Sequence, residues 1–88
     1  MVTIHKYPMP INRMVSIMLP EAARVLTVQV QKGRTCIWAM VDTEMRMVPR
    51  EFAWYGTGHP ISSPRNKEYV GTVQLDGGDL IFHLFEVQ

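Results

Sequence analysis

The chain has 88 residues, a formal net charge of +1 and 47% apolar residues. That length allows one domain and excludes two, while half-apolar composition with nearly balanced charge excludes disorder. So small a net charge excludes the electrostatic footprint that holds duplex nucleic acid, and the lone Cys36 excludes an intrachain disulfide.

The opening segment, Met1-Val2-Thr3-Ile4-His5-Lys6, lacks the apolar run of a signal peptide. No later stretch approaches the roughly 20 apolar residues of a spanning helix. The single cysteine also fits a reducing compartment. An intracellular protein with no membrane partner is expected.

Breakers then divide the chain into short segments rich in Val, Ile, Thr and aromatics, which read as strands. The first spans roughly 2–7 and stops before Pro8 and Pro10. The second, 13–19, stops at Pro20. Pro20-Glu21-Ala22-Ala23-Arg24 begins a helical turn that the following β-branched run cuts short. Strands at 24–31 and 34–42 flank Gly33. A strand at 49–56 runs into a long loop marked by Gly56, Gly58, Pro60 and Pro64. Strands at 68–75 and 79–87 flank Asp76-Gly77-Gly78-Asp79. The expected fold is all-β: one domain over 1–88, a small sandwich or flattened barrel of about seven mostly antiparallel strands.

Two hairpins give faces. Gln31-Lys32-Gly33 suits a three-residue loop, because a two-residue Lys32-Gly33 loop forces Lys32 to positive φ. That loop puts Leu26, Val28 and Val30 on one core face with Cys36, Trp38 and Met40. In the second hairpin, Asp76-Gly77 or Gly77-Gly78 forms a two-residue turn. Either choice groups Tyr69, Val73, Leu75, Leu80, Phe82 and Leu84 on one face. Both 34–42 and 79–87 are then apolar on two faces, and 88 residues supply little to cover the second. Ile37, Ala39 and Val41, or Ile81, Phe85 and Val87, are therefore expected at a homo-oligomer interface. The alternative is a register slipped by one residue, which swaps the faces.

The stretch Tyr55-Gly56-Thr57-Gly58-His59-Pro60-Ile61 is the best candidate for a site. Glycines let a ligand approach the backbone, and His59 can donate or accept near neutral pH. Tyr55, Thr57 and His59, with Arg50, Arg65 and Lys67 as rim bases, form the expected ligand site. The competing reading makes Gly56 to Pro60 a structural corner. A stacking platform for single strands would interleave bases and aromatics in this way, but Phe52 and Trp54, two apart, fit one core face better. A small nucleotide or a protein partner needs fewer charges than a polymer. Gly56-Thr57-Gly58 lacks the spacing of a phosphate loop.

Chemistry is sparse elsewhere. His5, His59, His83 and Cys36 lie at no zinc-ligand spacing, so neither metal nor other cofactor is expected. Ser62 and Ser63 follow His59 without a nucleophile elbow. Acids are scattered, and Asp76 and Asp79 are explained by their turn. No enzyme is expected. Met45 and Met47 flank Arg46 at an adaptable surface.

Six segments carry a resemblance: Ile4-His5-Lys6-Tyr7, Leu26 to Gln31, Cys36 to Asp42, Tyr55 to Ile61, Tyr69-Val70-Gly71-Thr72 and Ile81 to Glu86. Together they resemble a family of small uncharacterised proteins encoded by tailed bacteriophages, over nearly the whole chain apart from 8–19 and 43–50. The resemblance implies action in the cytoplasm of an infected bacterial host. It implies no activity and no site residue. An accessory protein that binds and inhibits or diverts a host component, including a defence system, is the leading expectation. The other expectations are a virion or assembly component, and a small-nucleotide binder or enzyme that uses the Gly-Thr-Gly-His loop.

Overall fold

A computed structural model describes residues 1–88. Seven strands follow one another: β1 (Val2–Pro8), β2 (Met14–Pro20), β3 (Arg24–Gln31), β4 (Arg34–Asp42), β5 (Met47–Gly56), β6 (Lys67–Leu75) and β7 (Leu80–Val87). Two single 3-10 turns, Pro64–Asn66 and Asp76–Gly78, are the only helical elements. No helix is long and apolar enough to cross a membrane. The strands form two antiparallel-paired sheets, ordered β1-β4-β3 and β2-β5-β7-β6. The all-β reading holds, as a two-sheet sandwich.

The sheets face each other across Phe52, Met9, Leu19, Ile37, Leu84 and Val41, the largest side chains that are fully buried. Ile37, Ala39 and Val41 line the inner face of β4. Val15, Phe52 and Leu84 answer them from the four-stranded sheet. Alternation along each strand, period two, is what places these residues together.

The first hairpin corrects the expected faces. Gln31 pairs with Arg34, so the loop has two residues, with Lys32 at φ 49° and Gly33 at φ 77°. A two-residue turn with both φ values positive matches the right-handed twist of its strands. That match outweighs the cost of Lys32 in the left-handed region. Val28 thus pairs with Ile37. The one-residue shift turns Ile37, Ala39 and Val41 inward, where they cannot meet another copy, and turns Trp38 and Met40 outward. A bulge at Leu26 shifts the register again between Val25 and Thr27, leaving Leu26 exposed.

The second hairpin opens to four residues, with Leu75 pairing Leu80. Its register is the one a Gly77-Gly78 turn would set, so Val73, Phe82 and Leu84 point inward as expected. Tyr69 does not. A bulge at Val70 carries it to the outer face, opposite Phe85. The expected helical turn at 20–24 is instead a tight turn in which Ala23 N–H donates to Pro20 O at 3.0 Å and Ala22 takes φ 65°. Here the chain leaves one sheet for the other, and a helical φ at Ala22 would not reverse it. Strand β5 also begins two residues before the expected position, at Met47.

Two local contacts position the sheets. Asp42 closes β4: its carboxylate accepts the Glu44 N–H at 3.0 Å and the Met1 amine at 3.3 Å. These bonds, the Glu44 one foremost, hold its carboxyl below the ordinary carboxylate value. The support is present above that ordinary value and is lost as pH falls through the lowered one. On the opposite side, β3 and β6 approach without a ladder. A Cβ built on Gly71 would stand 2.7 Å from Val28 Cγ1, and Val28 is buried. Gly71→Ala should therefore cost about 1–3 kcal/mol through overpacking. Urea denaturation checks this; an unchanged midpoint would show that β3 and β6 are not in contact at this point.

Candidate functional site

Strand β5 leaves its sheet at Tyr55-Gly56, and the chain turns at once. His59 N–H donates to Gly56 O at 3.1 Å, and Gly58 takes φ 87°. The His59 ring folds back over Gly56, where an added Cβ would meet its Cε1 at 3.0 Å. Glycine at 56 is what lets the imidazole lie there. The folded loop forms one wall of a hollow of about 520 Å³. Ile11, Trp54 and Phe82 form its apolar floor, and Arg13, Tyr55 and His59 stand on its rim. Trp54 is fixed by its Nε1–H, which donates to Pro10 O at 3.0 Å, and by an edge contact with Phe82 at 6.4 Å. Arg13 is fixed through its backbone: its carbonyl accepts the Trp54 N–H at 3.4 Å. Its guanidinium takes part in none of the ion pairs.

Of the six expected ligand residues, Tyr55 and His59 share this hollow. Thr57 does not line it but borders an adjoining depression with Asp79 and Ile81, which His59 also lines. The three bases are not brought to it. Arg50 sits five residues along β5 from Tyr55, roughly 16 Å at strand rise. It faces the sandwich interior and holds Glu86 through two nitrogens, while its Nη1 donates to Ala23 O at 2.8 Å. The hydrogen bond to Glu86 raises its pKa above the ordinary value, against the opposing effect of burial. Lys67 donates to Ser62 O and Asn66 Oδ1, both at 3.0 Å, and so ties down its own loop. Arg65 is exposed on the Pro64–Asn66 turn and lines none of the hollows around His59. The base that does reach the rim, Arg13, is the one that sequence reasoning missed. Forty-odd residues separate it from the loop, and only the pairing of Met14 with Ala53 brings it there.

The outer face of the four-stranded sheet holds a second feature. Phe85 meets Tyr55 at 5.8 Å and Tyr69 at 5.5 Å between ring centres. Beside this aromatic row, the His83 ring is held at both nitrogens: Nε2 by Thr57 Oγ1 and Nδ1 by Thr72 Oγ1, each at 2.8 Å. Thr72 Oγ1 in turn meets the Tyr69 hydroxyl at 2.6 Å. A neutral imidazole donates at one nitrogen and accepts at the other, so the chain fixes the ring without requiring charge. Met14, Met18, Tyr69 and Ile81 stand exposed around the row. Of the three residues expected at a second oligomer face, Phe85 and Val87 are half-buried and Ile81 is exposed, all on this side of the sheet. No three His, Cys, Asp or Glu residues gather where a metal ion could be held.

These features describe a small two-sheet β-sandwich with a loop-walled hollow at one end and exposed apolar side chains on the outer face of one sheet. The chain belongs to the family described as Domain of unknown function (DUF7352), which matches residues 1–88. No curated protein and no solved structure matches it.

Proposed function

We propose that this is a binding protein that works as a homo-oligomer, through the outer face of the four-stranded sheet. The observation that carries the reading is the set of exposed apolar side chains on that face: Met14, Met18, Tyr69 and Ile81 around the half-buried Phe85. Large apolar side chains left exposed together on one face mark an interaction surface. A two-fold axis would set the same face of two copies against each other, so a second copy is the first occupant. Methionine at the rim adapts to a partner's shape at low cost.

The bacteriophage resemblance extends the reading. An accessory protein of a tailed phage, acting in the cytoplasm of the infected bacterium, would engage and divert a host protein. No set of residues in the chain suggests a reaction, which favours binding over chemistry.

Sedimentation velocity at micromolar concentration tests the first part. The expected mass is at least twice the 10.1 kDa of one chain, and Met14→Glu with Ile81→Glu should return it to one chain with an unchanged far-UV circular dichroism spectrum. A wild-type mass of one chain overturns the reading. The phage part is tested by mass spectrometry of purified virions, from which a host-directed protein should be absent. Its presence there would make it a particle component.

A further inference from the structure

We infer that the hollow between Arg13 and His59 is a binding site for a small planar aromatic ligand carrying one anionic group, a phosphate or a carboxylate. The floor comes first. Ile11, Trp54 and Phe82 offer an apolar surface. At about 520 Å³ the volume lies within the ordinary range for small-molecule sites. The strands and the Trp54–Pro10 hydrogen bond preform that floor, so a ring would lose little of its binding energy to ordering the protein.

The rim supplies the charge. Arg13 presents a planar fork of donors that no carboxylate of this chain engages. Such a fork matches phosphate or carboxylate through two parallel bonds. The His59 imidazole faces the same space from the loop, held over Gly56. No acid lines the hollow. The nearest acid, Asp79, borders an adjoining depression that Gly56, His59 and Phe82 also line. A single guanidinium beside an imidazole suits one anionic group better than a polyphosphate. The other bases near the loop are unavailable, since Lys67 is bound to Ser62 O and Asn66 and Arg50 to Glu86. This inference does not depend on the outer-face patch.

The test is titration of the isotope-labelled full chain, followed by backbone amide and indole signals. The probes are adenosine 5′-monophosphate and indole-3-acetate, with adenosine and inorganic phosphate as the separate halves. The expected result is saturable shifts at the Trp54 indole, Gly56 and His59 with at least one of the two complete probes. Each half should bind at least tenfold more weakly. Arg13→Gln should weaken the complete probe by at least tenfold, and His59→Ala by at least threefold, with melting temperatures unchanged. Charge-assisted hydrogen bonds have that magnitude. Arg13→Lys should recover only part of the affinity, because an ammonium cannot form the fork. No saturable shift with either probe, shifts confined to other surfaces, or full affinity in Arg13→Gln would each overturn the inference.

Discussion

Replacing Phe52 with Ala should destabilise the protein by about 3–5 kcal/mol. Phe52 heads the fully buried side chains and has 0% exposure. It lies between Val15 of β2 and Glu86 of β7 in the ladder, so its ring fills the middle of the four-stranded sheet's inner face. Neighbouring strands are held by their own hydrogen bonds and cannot collapse into the space it would leave. The loss therefore combines transfer of the ring to water with a cavity that stays open. Domains of this size are stable by only about 5–15 kcal/mol, so the variant should be partly unfolded at body temperature. Urea denaturation checks this; a loss below about 1 kcal/mol would mean that the ring is not in the core.

The second large effect belongs to Arg50. Its guanidinium holds both Glu86 oxygens and the Ala23 carbonyl, and its side chain is only 22% exposed, against 12% for Glu86. Arg50→Met leaves a largely buried carboxylate without a partner and the Ala23 carbonyl without a donor. The expected cost at neutral pH is about 2–4 kcal/mol, below the full value for a buried pair because one side remains open to water. Changing both partners, Arg50→Met with Glu86→Leu, should recover most of the loss, since no charge is then stranded. Equal destabilisation in the single and double variants, measured by chemical denaturation, would show that packing and not charge governs the site. This prediction also separates two uses of a base. In sequence, Arg50 reads as a rim residue near an aromatic loop. In the fold it is a tie between β5 and β7 at the far end of the sandwich.

That difference shows where the sequence speaks and where it does not. Strand positions are legible because Pro8, Pro20, Gly33, Gly56 and the Asp76–Asp79 turn end each run locally, with no need of distant partners. Register is legible only where the turn chemistry is decisive. At Gly77-Gly78 the two glycines accept positive φ and the faces follow correctly. At Lys32-Gly33 the energetic cost at Lys32 argues for three residues, and the twist of two long strands overrides it. That one-residue difference moves Ile37, Ala39 and Val41 from a supposed interface into the core. The bulge at Leu26 leaves no local signal in Val25-Leu26-Thr27, whereas the one at Val70 is marked only by the adjoining Gly71. The candidate site is legible by half. Tyr55 and His59 are neighbours in sequence and share a short turn, so they meet. Arg13 reaches them only through the β2–β5 ladder, while Arg65 stays on its 3-10 turn and Lys67 at the start of β6. Sequence proximity predicts a shared site only while the chain stays local.

The His83 chain is a further case. Thr57, Thr72 and Tyr69 come from a loop and a neighbouring strand, and His83 read alone is an ordinary strand histidine. Once β6 and β7 pair with Thr72 opposite His83, the two hydroxyls fall at both ring nitrogens. The network holds the outer face rigid beside the Phe85 row, and a rigid apolar face is better preorganised for a partner.

The central claim is that the outer face of the four-stranded sheet is a contact surface between copies. Isotope-filtered nuclear Overhauser spectra on an equal mixture of labelled and unlabelled chains test it most directly. Intermolecular contacts are expected from the methyl groups of Met14, Met18 and Ile81 to the rings of Tyr69 and Phe85. Intermolecular contacts confined to Val2, Ile4 and Met40 on the other sheet, or none at all at micromolar to millimolar concentration, would contradict it.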